Sequence, residues 1–128
     1  PFEFDGLESL RDKTVGVPSG FKIRYLDELV DQQKAYRIDT PTMPALVQKV
    51  AQGQLKIAIL PYVSAYHEIK KYQLSDKIHF SVKPHQTYLR YFMIVNGTPK
   101  IQNALNKAIK EIQENGRLKE ILKEYGYK

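Results

Sequence analysis

The chain has 128 residues, with 20 Lys or Arg against 14 Asp or Glu, so its formal net charge is +6. The length is that of one domain, and a hydrophobic fraction of 42% with 27% charged residues indicates a globular protein and argues against a disordered one. The absence of Cys excludes a disulfide framework, a Cys-type zinc finger and a thiol nucleophile. No apolar run approaches the ~20 residues of a membrane-spanning helix.

Short apolar runs alternate with segments of helical spacing. The runs that predict strands are residues 14–17, 35–38, 55–60, 78–82 and 88–95. Helices are predicted between them from residues 21, 40 and 61, and two more follow after Thr98–Pro99 and after Asn115–Gly116. This order predicts an α/β fold with a mainly parallel sheet flanked by helices.

Local signals mark individual elements of this sheet. The segment Thr40–Pro44 has the Thr and Pro pattern of a helix start, and Gly53 predicts a left-handed cap at the end of that helix. The run 55–60 is apolar on both faces except at Lys56, which predicts the central strand.

The positive charge is concentrated in the second half of the chain. Residues 1–65 hold eight basic and eight acidic side chains, whereas residues 66–128 hold twelve basic and six acidic ones. Two interpretations stay open, namely attraction to nucleic acid or anionic lipid, and solvated helix faces. We expect no nucleic-acid partner, because Tyr88, Arg90 and Tyr91 stand without the Gly-aromatic core of an RNA-recognition sheet.

Ligands of parallel sheets bind beyond the carboxyl ends of the strands, where two predicted helices begin. At the first, Ser19 and Gly20 form either an anion cradle or an ordinary N-cap. At the second, Tyr62 either lines a ligand cleft or packs as a half-buried ring. Both pairs of alternatives stay open.

No common catalytic or metal-binding motif is present. The loop 18–21 is neither a Walker A nor a G-x-G-x-x-G loop, and no Ser stands in a G-x-S-x-G elbow. His67, His79 and His85 lack zinc-site spacing and are predicted to lie at the surface. The acidic residues of 27–31 are predicted to form a solvated helix face. We therefore expect neither an enzyme nor a bound metal or cofactor.

Three stretches of the sequence, in this order, resemble one protein family. They are LESLRDKTVGVPSG, MPALVQKVAQGQLKIAIL and IQNALNKAIKEIQENGRLKEILKEYGYK. The first is similar to the opening of the second lobe in bacterial extracellular solute-binding proteins, family 3, of the type 2 periplasmic-binding fold. The others are similar to a helix–strand unit and to the C-terminal helices of that family. The resemblance spans Leu7 to about Tyr127.

The resemblance implies how the chain is organised. Residues 1–98 correspond to the second, ligand-closing lobe with its hinge-return strand, and residues 99–128 to C-terminal helices that normally pack on the first lobe. The chain is then a fragment of a two-lobe protein, which we expect to bind its solute weakly or not at all. The apolar faces of the C-terminal helices, without their partner, are expected to promote self-association.

The resemblance also implies a function. It predicts a periplasmic domain that closes over a small polar or anionic solute and passes it to an ABC permease. The family's fold places ligand contacts at Ser19, Gly20, Phe21, Lys22, Thr40, Pro61 and Tyr62. Lys22 would suit an anionic ligand, although a solvated Lys fits the sequence equally well.

One family feature is missing. In amino-acid binders an Asp soon after the third strand pairs with the ligand's ammonium group, and residues 59–62 contain no acid. An unpaired ammonium is costly to desolvate, which argues against a standard α-amino acid as the ligand.

Two other functions stay open. The same fold serves as the sensory input domain of membrane receptors or cell-wall enzymes, with a sensor module as partner. The third hypothesis is a basic nucleic-acid-binding domain, which steeply salt-dependent binding would support.

Overall fold

A computed structural model describes residues 1–94 and 99–127 of the chain. Contacts within the chain divide it into two units, Pro1–Thr87 and Tyr88–Lys128, which we describe separately. The predicted domain boundary after residue 98, the predicted cap at Thr98 and the predicted strand end at Val95 lie outside the described residues.

The first unit is an α/β layer structure, as the sequence predicts. Its elements are a 3₁₀ helix at Leu7–Leu10, strand β1 at Thr14–Pro18, helix α1 at Arg24–Asp31, strand β2 at Tyr36–Thr40, helix α2 at Met43–Ala51, strand β3 at Ile57–Ala58 and helix α3 at Tyr62–Lys71. The strands form a parallel sheet in the order β2-β1-β3. All three strands therefore end at the same edge of the sheet.

Strand β1 is the central strand of this sheet, and the prediction that residues 55–60 form the central strand is wrong for the described residues. Val15 and Val17 are fully buried in one core cluster with Ile57, while Val47 and Ile69 belong to a second cluster. The segment around the edge strand β3 contacts both clusters, since Ile57 belongs to the first and Leu60, just after β3, packs against the second, so apolar character on both faces does not require a central position.

Gly16 allows the core to pack closely against β1. A Cβ at this position would lie 2.6 Å from Leu55 Cδ1 and 2.7 Å from Leu46 Cδ1. The missing side chain lets these two leucines contact the strand backbone directly.

Local signals locate both ends of α2 correctly. The Thr42 hydroxyl accepts a hydrogen bond from Ala45 N at 3.3 Å, and Pro44 lies in the first turn. Gly53 follows the helix with a φ of +73°, a left-handed conformation that glycine adopts without strain.

The predicted strands over 78–82 and 88–95 are absent from the described residues. Residue 95 lies outside the described part of the chain, so this statement covers residues 88–94 of the second run. Ser81 and Val82 are instead hydrogen-bonded to the Glu3 side chain, and the Ser81 hydroxyl accepts from Phe4 N, so these bonds are not those of a main-chain ladder. A strand needs a neighbouring edge with which to pair, and β-branched or aromatic composition does not provide one.

The second unit contains helix α4 at Pro99–Glu114 and helix α5 at Arg117–Glu124. Gly116, with a φ of +79°, separates them, which confirms the predicted stop at Asn115–Gly116. None of the described residues of this unit is buried. None of the described helices of the chain is long and apolar enough to cross a membrane.

Candidate functional site

All seven predicted contact residues lie at the edge of the sheet where the parallel strands end, which we call the carboxyl edge. They are Ser19, Gly20, Phe21 and Lys22 after β1, Thr40 at the end of β2, and Pro61 and Tyr62 where α3 begins. Because β1 lies between β2 and β3, Thr40 and the pair Pro61 and Tyr62 lie on opposite sides of the central strand, and the loop 19–22 continues from that strand.

The loop after β1 is a tight turn and not a helix start. Phe21 N donates to Pro18 O at 3.2 Å, and Gly20 has a φ of +81°, which favours glycine at the third position of such a turn. Helix α1 begins only at Arg24. Both interpretations of Ser19 and Gly20, as an N-cap and as an anion cradle at a helix start, are therefore wrong, and contact of Ser19 with a ligand stays a prediction.

Ser19 and Thr40 are brought together by the sheet. Ser19 N donates to Thr40 O at 2.9 Å, and Ser19 directly follows Pro18, which pairs with Thr40 at the end of the two strands. Thr40 is 1% exposed, and its hydroxyl Oγ1 is buried without a hydrogen-bond partner in the structure. Such a hydroxyl is rare in a folded protein because leaving it unpaired costs about 1–3 kcal/mol. Thr40 thus holds an uncommitted polar group at the end of β2.

Arg37 fixes the shape of the first loop, and sequence reasoning did not identify it. Its side chain is 16% exposed, and its Nη2 donates to Phe21 O at 2.8 Å. Its Nη1 donates to Asp27 Oδ1 at 2.5 Å, and its Nε and Nη2 donate to the two carboxylate oxygens of Asp39 at 3.0 and 2.7 Å. One guanidinium therefore joins β2, the start of α1 and the turn after β1.

Asp27 completes this network, so its prediction as part of a solvated face is wrong. Its second carboxylate oxygen accepts a hydrogen bond from Ile23 N at 3.0 Å, directly before α1. The available sequence signal was the spacing of Arg37 and Asp39, since residues two apart in a strand share one face. No sequence signal pointed to Phe21 O.

The network also sets the charge at the carboxyl edge. Hydrogen bonding from Arg37 lowers the pKa of the Asp39 carboxyl, and the same bond, ahead of the one to Asp27, raises the pKa of Arg37. The two carboxylates share this one cation, so the network as a whole carries a net charge of −1. Lys22 lies exposed in the loop after β1, and it forms no ion pair with any of the described residues. The charge there is available to an anionic group.

An aromatic cluster of Tyr62, Tyr66 and Phe80 lies on the β3 side of the carboxyl edge. The Tyr62 ring centroid is 4.9 Å from that of Phe80 and 5.9 Å from that of Tyr66. Tyr62 and Phe80 remain 37% and 36% exposed. Tyr62 therefore packs against other rings and is also accessible to solvent. The structure is compatible with both open interpretations of Tyr62, a half-buried packing residue and a residue that lines a ligand cleft. Phe80 was missed because it is distant from Tyr62 in the chain.

A serine, a histidine and a carboxylate also meet in this unit. Glu3 Oε2 accepts a hydrogen bond from Ser81 Oγ at 3.0 Å, and Glu3 Oε1 pairs with His79 Nε2. The carboxylate lies between the hydroxyl and the imidazole, whereas activation of a serine needs the imidazole next to the hydroxyl. This arrangement can hold two segments together but does not generate a nucleophile. No group of three or more potential metal-ligating side chains occurs within residues 1–94 and 99–127.

The three histidines have different surroundings. His67 and His79 are exposed, as predicted. The prediction of a surface position is wrong for His85, which is half-buried with its ring against Phe4.

A scan against protein-family models, a search of curated proteins and a search of solved structures each find no match to this chain. The function proposed below therefore rests on the chemistry of the carboxyl edge and on the resemblance of the three sequence motifs.

Proposed function

We propose that the chain is the ligand-closing second lobe, with the C-terminal helices, of a periplasmic solute-binding protein of family 3 with the type 2 periplasmic-binding fold. It binds a small polar or anionic solute for ABC-type uptake and carries out no chemistry on it. The observation that carries the proposal is the grouping of a fixed turn, an uncommitted buried hydroxyl and exposed aromatic rings at the carboxyl edge of one parallel sheet.

Each part of the carboxyl edge has a role in binding. Lys22 provides a cation for an anionic group of the solute, and the buried Thr40 hydroxyl gains a partner when solute binding opens the end of β2. Tyr62 provides ring surface for the apolar part of the solute. The network of Arg37 holds the first loop in place beforehand, so little ordering entropy is lost on binding.

Uptake requires that binding changes the shape of the protein. A solute that touches this lobe and a first lobe stabilises the closed arrangement, which a permease then recognises. Contacts from one lobe alone give weak binding. We expect Kd values of the chain by itself to be roughly millimolar, or about −4 kcal/mol.

Calorimetry or NMR titration with pooled dicarboxylates, inorganic phosphate and polar amino acids tests the proposal. Lys22→Ala and Thr40→Val should each weaken binding of the selected solute about tenfold, since one charge-assisted contact contributes about 1.5 kcal/mol. Lys13→Ala is the matched control, because Lys13 is equally exposed but precedes β1 at the opposite edge. Binding that is unchanged in both site variants, or lost in the control, would contradict the proposal, and so would sub-micromolar binding by the chain alone.

A further inference from the structure

The N-terminal segment of the chain is attached to a distant segment almost entirely through side chains. Glu3, Phe4 and Asp5 lie against residues 79–85, more than 70 positions later, and the rings of Phe2 and Phe4 also pack against the core cluster of Val15 and Val17. Glu3 Oε2 accepts from Val82 N at 3.0 Å as well as from Ser81 Oγ, and Phe4 N donates to Ser81 Oγ at 2.9 Å. A main-chain ladder does not titrate, whereas contacts of this kind depend on the ionisation of the groups that make them.

His85 is the member of this contact whose surroundings disfavour a charge. Its ring centroid lies 5.3 Å from that of Phe4, with the rings tilted by 51°. Its Nε2 is buried and has no hydrogen-bond partner in the structure. A proton on this nitrogen would place a positive charge where no acceptor meets it, so the ring must leave Phe4 to become solvated.

We propose that residues 2–5 form a releasable strap, which is held on residues 79–85 near neutral pH and is released when His85 takes up a proton. The strap is a conformational device of the first unit and does not depend on the solute-binding function. Release frees the segment that leads into the 3₁₀ helix at Leu7–Leu10.

The direction of the pH dependence follows from linkage. Burial lowers the pKa of His85 from its ordinary value of 6.5, so the released state binds this proton more tightly than the strapped state. The equilibrium shifts towards the released state as the pH falls below about 6.5. It stops shifting at the pH where His85 is also protonated in the strapped state. One proton gives at most a tenfold change in the equilibrium per pH unit.

The other charged groups in the contact act differently. Hydrogen bonding from Val82, His79 and Ser81 lowers the pKa of Glu3 from 4.5, so Glu3 remains ionised while His85 titrates. Asp5 pairs with Lys83 at 3.3 Å across the same contact. The His79 ring pairs with Glu3 Oε1, and this contact opposes release.

Hydrogen exchange of the whole chain tests the strap. Protection factors, corrected for intrinsic rates, are compared at pH 7.5 and pH 5.5 for the Phe4 and Val82 amides, which donate across the contact. We expect protection in the wild type to fall several-fold, and at most tenfold per pH unit. The fall should be absent in His85→Phe and retained in His79→Gln. Val15 and Val17, in the central strand, should keep their protection.

Three results would overturn the proposal. They are unchanged wild-type protection at Phe4 and Val82, an equal fall in the His85 variant, and a parallel fall in β1 that indicates unfolding of the whole unit. His85→Gln, which also cannot titrate, replaces the Phe variant if that variant does not fold. An NMR titration of the His85 ring should give a pKa below 6.5, and a higher value would contradict the mechanism.

Discussion

Removing the Arg37 guanidinium should loosen the carboxyl edge while leaving the sheet intact. Arg37→Met keeps most of the apolar stem but removes the donors to Asp27, Asp39 and Phe21 O. We expect a loss in the free energy of unfolding together with faster exchange of the amides that follow the turn.

The structure sets the size of this loss. The side chain of Asp27 is 34% exposed, so its ion pair contributes about 0.5–1 kcal/mol and not the value of a buried pair, while the pair with the more exposed Asp39 adds little. The bond to Phe21 O adds about 1 kcal/mol, because it joins a charged donor to a main-chain acceptor. The total is about 2 kcal/mol.

Urea unfolding followed by circular dichroism and tyrosine fluorescence measures this loss, since the chain has no Trp. A double-mutant cycle with Asp27→Asn should give a coupling of about 0.5–1 kcal/mol. Arg37→Lys should recover part of the stability, because an ammonium cannot make all four bonds at once. A cost below about 0.5 kcal/mol for Arg37→Met, which is typical of an ordinary surface substitution, would refute the role of the network.

Three further predictions concern packing, acid stability and association. Gly16→Ala should destabilise the protein by about 1–3 kcal/mol in urea unfolding, because its Cβ would contact two buried leucine methyls, and an unchanged midpoint would contradict the close packing. The pKa values of Glu3 and Asp39 in the folded state are lowered from 4.5 and 3.8, so these carboxylates stabilise the fold above those values and lose this effect as the pH falls through the folded-state pKa. Asp39→Asn should therefore make the urea midpoint depend less steeply on pH under acidic conditions. An unaltered pH dependence of the midpoint would count against this. The exposed apolar residues of α4 and α5 should make the chain self-associate in sedimentation velocity at high concentration, and a strict monomer would refute this.

Features set by neighbouring residues could be predicted from the sequence. Thr42, Pro44 and Gly53 determine the ends of α2 within a few positions of themselves, and Gly116 separates α4 from α5 in the same way. Caps and left-handed glycines depend on hydrogen bonds that span one helical turn. The alternation of such segments with apolar runs was enough to predict the α/β class.

Features set by distant residues could not be predicted. The run 78–82 has the alternation of a strand, yet its hydrogen bonds go to side chains around Glu3. His85 looks like a surface residue until Phe4 covers it. These outcomes depend on which segments meet in the fold, and residue spacing contains little of that information.

The candidate site shows the same division. The sequence correctly placed seven residues at the carboxyl edge, because parallel strands end together. It could not show that the Thr40 hydroxyl lacks a partner or that Arg37 reaches Phe21 O, since both depend on the position of loops around β2.

The most direct test of solute binding at the carboxyl edge is amide chemical-shift mapping by NMR. The labelled chain is titrated to millimolar concentrations with pools of dicarboxylates, phosphate and polar amino acids. We expect the chemical-shift changes to concentrate at residues 19–22, Thr40 and Tyr62. Lys22→Ala should reduce these changes, and Lys13→Ala should not. Shifts confined to α4 and α5, or shifts that Lys13→Ala reduces as much as Lys22→Ala, would contradict it.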